Sequence, residues 1–327
     1  ILTITLVMFV GNMTFSAHPG KLTVNPSPGY ELVPFGSENG RTTCVLQGTN
    51  TLFSIATPNK LVTREAKGSE RVTYSDMNFS QDIFAVAGDY NNKSVAISFD
   101  GYVYVIDRVT GHMTVPFKAV TSFKLPATVF GSMTTIDNDP TKVYICGDFD
   151  SIIGKSNTPK FMMRYDLVTG DISPVITEQP YSVAGFVKFK NKLILSMAYD
   201  KKGSLSPSRL VAWDISAGTF SNIEQGTFKG GGKLITNGTT LLATGYKQSF
   251  INALFQYDEP TNTFVTLFTG VNQACVYKGE FYLGTREVIT NSSNEAITAN
   301  YFIKYNSEYG EISTFNGLVL DGMNVDF

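Results

Sequence analysis

The chain has 327 residues, 43% hydrophobic and 13% aromatic, with a net charge of −2. A chain of this length buries a sizeable core, and its aromatic load favours strands. Lys and Arg number 26 against 28 Asp and Glu, so there is no basic footprint for nucleic acid and no polybasic segment for a membrane surface.

The first ten residues, Ile1–Val10, are apolar but too short to span a bilayer. They look like the apolar part of a secretion signal, with Phe15-Ser16-Ala17 as a cleavage site, yet no Met or basic segment precedes them. The repeats described next favour the other reading, a strand.

A hairpin turn recurs along the chain. It reads Ile106-Asp107-Arg108-Val109-Thr110-Gly111, then Tyr165-Asp166-Leu167-Val168-Thr169-Gly170, then Trp213-Asp214-Ile215-Ser216-Ala217-Gly218. Looser copies start at Tyr257 and Tyr305. Asp or Asn opening a turn accepts backbone N–H groups two residues on. Gly or Asn at its end supplies a positive φ.

Each turn joins the last two strands of a four-strand unit, clearest over residues 130–175. There the strands are expected at 131–136, 142–147, 160–165 and 171–175, with alternating apolar residues. Units follow at about 41–78, 80–118, 126–176, 180–224, 230–268 and 272–316. Gly29 and Gly310 lie six repeats apart, about 47 residues each. Repeats of 40–50 residues with four strands are propeller blades. The end pieces complete one another: residues 1–36 supply three strands and 317–327 the fourth. The expected fold is therefore all-β, a single domain over 1–327. It is a seven-bladed β-propeller of four-stranded antiparallel blades, closed by a split blade, which removes exposed sheet edges. No helix of useful length is expected.

Catalytic chemistry is sparsely provided for. His18 and His112 are the only histidines, too few for a His-rich metal site. Cys44, Cys146 and Cys275 sit in apolar strands and read as buried free thiols. Ser98-Phe99-Asp100-Gly101 only echoes the aspartate box of sialidases, and Gly230-Gly231-Gly232-Lys233 lacks the spacing of a phosphate loop. It reads instead as a close backbone approach. Asp148, Asp150, Asp200, Arg286 and Glu287 fall where second strands leave their sheets. Loops there, the longest at 286–299, make these five the candidate binding residues. Asp137 with Asp139, or Asp148 with Asp150, offers oxygen pairs that calcium could use; otherwise no cofactor is expected. Asn12, Asn78, Asn92, Asn237 and Asn291 head glycosylation sequons in expected turns.

The run Val143-Tyr144-Ile145-Cys146-Gly147-Asp148-Phe149-Asp150, with Arg164-Tyr165-Asp166 and Thr169-Gly170, resembles the delta-60 and bud-site-marker type of propeller repeat. It is similar to kelch and galactose-oxidase-like propellers more generally, although the kelch Gly-Gly doublet is absent. Such folds host enzymes, lectins and scaffolds alike. With no assembled catalytic set, the expectation is a non-catalytic extracellular or cell-surface module, protein-binding or structural. Its partners would be other proteins or further copies of itself. The alternatives are a glycan-binding, lectin-like propeller or glycan-active enzyme, and an intracellular kelch-like adaptor.

Overall fold

The computed structural model describes residues 40–314, apart from 46–50, 57–59, 66–70, 75–82, 99, 108–109, 111, 123–128, 138, 157, 177–181, 200–204, 224–227, 229–232, 248–250, 278 and 300–301. For residues 40–74 it describes strand backbone only. The expected split blade therefore lies outside the described residues. Every regular element among them is a strand, and none is a helix long and apolar enough to cross a membrane.

The chain divides into two compact units. The first comprises Gly40–Phe186 and Leu195–Ser206. It opens with β1 (Gly40–Val45), β2 (Thr51–Ala56), β3 (Lys60–Glu65) and β4 (Arg71–Tyr74), an antiparallel meander. A second meander is β5 (Ile83–Tyr90), β6 (Lys93–Ser98), β7 (Tyr102–Asp107) and β8 (Met113–Val120). The third sheet comes from β9 (Phe130–Thr135), β10 (Lys142–Gly147), β12 (Met162–Asp166) and β13 (Ile172–Pro174). Between β10 and β12, the short β11 (Ser151–Ile152) leaves its own sheet and pairs with β8.

Alternation decides which faces are buried. Val143, Ile145, Met163 and Tyr165 share one face of the third sheet and pack with Val95, Ile97, Val103 and Phe117 of the second. Each such side chain contributes about 2 kcal/mol on burial. Ser94 is buried in the middle strands, and its hydroxyl is satisfied by Gly88 O at 2.9 Å.

The repeated turn is built as the residues dictate. Asp166 Oδ1 accepts Val168 N at 2.8 Å and Thr169 N at 3.2 Å, and Gly170 closes the turn at φ +77°. Asp214 caps Ser216 and Ala217 in the same way. In the Tyr257 copy, Asn262 takes the positive φ in place of glycine.

The chain crosses between units along β14 (Val183–Phe189), β15 (Lys192–Tyr199) and β16 (Leu205–Asp214), which pairs with β17 (Thr219–Asn222). The rest of the second unit holds β18 (Leu234–Thr236), β19 (Leu241–Lys247), β20 (Ile251–Asp258), β21 (Thr263–Tyr277), β22 (Glu280–Asn291), β23 (Ala296–Thr298), β24 (Phe302–Asn306) and β25 (Glu311–Thr314). These form one continuous sheet, in chain order except that β23 lies beside β22 off the main path. Among the described residues, two apolar layers pack this unit. One gathers Phe228, Leu241, Phe255 and Phe264, and the other Ile235, Leu242, Leu254, Phe281, Leu283 and Ile289.

Two stretches differ from expectation. The break expected near residue 270 is absent: β21 runs through it, with Gly270 at φ +83° and register shifts on either side of Val271. A bulged strand replaces a loop there. The expected loop at 286–299 is a hairpin arm in which Val288, Ile289 and Thr290 pair with Thr298, Ile297 and Ala296. Ile289 is buried, and Asn291 caps the tip by accepting Ser293 N and Glu295 N, each at 2.9 Å.

Candidate functional site

The strongest candidate among the predicted residues is Asp148, at the exit of β10. Its backbone N–H donates to Val129 O at 2.9 Å, and Gly147 N donates to Phe161 O at 3.0 Å. A Cβ at Gly147 would stand 2.1 Å from Val129 O, so only glycine allows this approach. Asp148 is only 6% exposed. Burial pushes its carboxyl above the usual aspartate range, opposed in part by a hydrogen bond from Ser182. Phe161, whose carbonyl braces Gly147, is buried at φ +64°. That backbone is strained for a bulky residue, and such strain gathers at functional sites.

Asp150 has a different job. Its Oδ2 accepts Ser122 N at 3.1 Å and the Ser122 hydroxyl, while Oδ1 accepts the Ser151 hydroxyl at 3.1 Å. It fastens the segment after β10 to the end of β8. Asp100, in the sequence that only echoed an aspartate box, accepts the Ser98 hydroxyl at 2.6 Å and lies 4.0 Å from Lys118 Nζ. Gly101 beside it, at φ +94°, would place a Cβ 3.0 Å from the Val129 side chain. Val129 thus lies beside both Gly101 and Asp148. The first unit brings together the segments bearing Asp100, Asp148 and Asp150.

Arg286 and Glu287 lie in the second unit, exposed on the arm of β22. There Glu287 O accepts Ala299 N at 2.7 Å. Asp200 falls outside the described residues, as do Asn12 and Asn78. Asn92 sits exposed in the β5–β6 turn at φ +63°. The amides of Asn237 and Asn291 are engaged: Asn237 Nδ2 donates to Gly279 O at 2.9 Å, and Asn291 Nδ2 to Glu295 Oε2 at 2.8 Å.

Among the described residues, no group of three or more His, Cys, Asp or Glu converges to hold a metal ion. Of the calcium pairs, Asp139 is taken by Lys142 and by Thr141, whose hydroxyl is 2.6 Å away. These bonds hold its pKa down at about 2. Burial pushes the Cys275 thiol up to about 12 and the Cys146 thiol higher still, so both are inert at neutral pH.

A set of buried hydroxyls went unread in the sequence. Ser98, Ser196 and Thr244 are all buried, on β6, β15 and β19. Lys233 was also passed over as part of a glycine run. The residue is exposed, while protein packed beside its ammonium lowers that group's pKa from the usual lysine value.

No protein-family model matches the chain, and no curated protein matches it. Its fold is similar to that of solved structures. An oligogalacturonate lyase of Vibrio parahaemolyticus has a TM-score of 0.52 at 10% identity, over 93% of this chain and 84% of that one. An oligogalacturonate lyase in complex with manganese has a TM-score of 0.52 at 11% identity, over 83% of this chain and 77% of that one. The tricorn protease has a TM-score of 0.53 at 11% identity, over 85% of this chain but 30% of that one. At these identities the likeness establishes an all-β, propeller-like fold of antiparallel four-stranded sheets. The expectation of a non-catalytic interaction module is corrected here. Two of these structures, matched over most of both chains, are oligogalacturonate lyases.

Proposed function

We propose that the chain is a glycan-active enzyme that breaks a glycosidic bond in an acidic oligosaccharide, with Asp148 as proton donor. The observation that carries this reading is the carboxyl of Asp148, buried at a loop base and raised in pKa. A carboxyl held protonated nearer neutrality can act as general acid. As the bond to the leaving oxygen breaks, that oxygen keeps the electron pair and takes the proton from Asp148, while water adds to the sugar carbon left behind and gives its proton back to the Asp148 carboxylate. The polyuronate class comes from the two lyases, by analogy of fold. One of them is a complex with manganese. The described residues offer no donor set to fit such an ion, and no step here runs through one. We further propose that the described sheets belong to a single seven-bladed propeller closed by the split blade. The spacing of the repeats supports this.

The test is incubation with oligogalacturonates and with neutral galactose oligomers, followed by chromatography of the products. Cleavage of the acidic series is expected, with kcat reduced about 100-fold in Asp148→Asn. No cleavage of either series, or full activity in Asp148→Asn, overturns the reading.

A further inference from the structure

In the second unit, one apolar layer ends in polar side chains. Lys233 stands just before β18 and faces Thr244 across the ladder. Thr244 N donates to Lys233 O at 2.9 Å, and Lys233 N donates to Thr244 Oγ1 at 3.0 Å. Ile235 and Leu242, the next in-register pair on that face, belong to the layer. Alternation therefore places Lys233 and Thr244 on the same face. Phe281 and Leu283 of β22 enter the layer from its other side, and alternation puts Thr285 on their face. Thr285 is 2% exposed, and its Oγ1 has no hydrogen-bond partner.

A buried hydroxyl without a partner is costly, and each such group calls for an explanation. Lys233 keeps exposed surface, and among the described residues no carboxylate pairs with its ammonium. Thr244 is level with Leu254 and Phe268 across the ladders, and Val271, just beyond Phe268, pairs with Thr285, so the same end of the layer carries a lysine with no carboxylate partner among the described residues and a buried hydroxyl without an acceptor. Both lack the same thing, an anionic oxygen. We infer that Lys233 and Thr285 form an anion subsite for the carboxylate of a uronate sugar. The ammonium supplies charge and the hydroxyl a directional donor. Naming a sugar carboxylate rests on the glycan-active reading, whereas the pairing of cation and orphan hydroxyl does not.

Binding is measured calorimetrically on the full chain carrying Asp148→Asn, with trigalacturonate, free acetate and neutral galactotriose as probes. The expected result is trigalacturonate binding that falls at least 10-fold in Lys233→Met and in Thr285→Val, while galactotriose binding does not change. Thr285→Val keeps the side-chain shape and removes the orphan hydroxyl, so it serves if Lys233→Met fails to fold. Unchanged trigalacturonate binding in folded Thr285→Val overturns the subsite, as does acetate binding that matches trigalacturonate in affinity. Cleavage with Asp148 intact and no effect of either substitution sinks the subsite alone. Lys233-dependent binding without any cleavage sinks the enzymatic reading and leaves the subsite standing.

Discussion

Asp150 accepts the backbone N–H of Ser122 at 3.1 Å, joining positions 28 residues apart. It also takes the Ser122 hydroxyl. Asp150→Ala leaves that N–H without its acceptor and should cost about 1–2 kcal/mol in urea denaturation. Turnover per folded molecule should change far less than in Asp148→Asn, because Asp150 acts on the loop and not on a substrate.

Asp148 gives a pH signature of the opposite kind to most carboxylates. Its folded pKa is raised by burial, so the native state holds the proton more tightly than the unfolded chain. Its contribution is full below the ordinary aspartate value and is lost as pH rises through the folded value. Asp148→Asn removes that loss. The variant should melt higher than wild type at neutral pH while losing activity, and the gap should close in acid. Thermal melts across pH check this; a variant that melts lower at every pH would contradict it.

Gly147→Ala should be among the most damaging single-methyl changes in the first unit. The added Cβ meets Val129 O at 2.1 Å and Phe130 Cα at 2.6 Å, both backbone atoms that cannot swing aside. A loss of about 3 kcal/mol is expected by denaturation, along with lost activity from the displaced Asp148. Gly154→Ala, with nothing within 4 Å of the new Cβ, keeps the space and tests only its φ of +75°.

Asp139 supplies the ordinary acid dependence. Bonds from Lys142 and Thr141 lower its pKa to about 2. Its stabilisation is present above the ordinary aspartate value and disappears as pH falls through about 2. Asp139→Asn should lower the melting point slightly at neutral pH and not at all in strong acid. Salt should shrink the difference, since the ion pair is well exposed to solvent.

Strand placement was legible where alternation and turn chemistry agree. β10 spans Lys142–Gly147, the range its apolar pattern marks, and Asp166 and Asp214 cap their turns as their side chains predict. The continuity of β21 was hidden because Gly270 reads as a turn residue, whereas its positive φ serves a bulge. The arm of β22 was hidden by Arg286-Glu287 and by the polar tip after Asn291, although Ile289 and Ile297 carry the pairing. The site was legible only as residue types. That Asp148 is buried depends on Val129 and Ser182, and that Asp150 is a fastening depends on Ser122. None of these contacts is local, and no periodicity announces them.

β11 has a consequence for modularity. Ser151 and Ile152 belong by sequence to the third sheet's repeat, yet they pair with Val120 and Ala119 of the sheet before it. A repeat cut out at 126–176 would carry away a neighbour's fifth strand and leave β8 with a bare edge. Neighbouring repeats in the first unit are thus not interchangeable parts. Duplicating, deleting or shuffling one of them breaks a seam as well as a sheet, and an engineered array built on this chain should be cut in pairs.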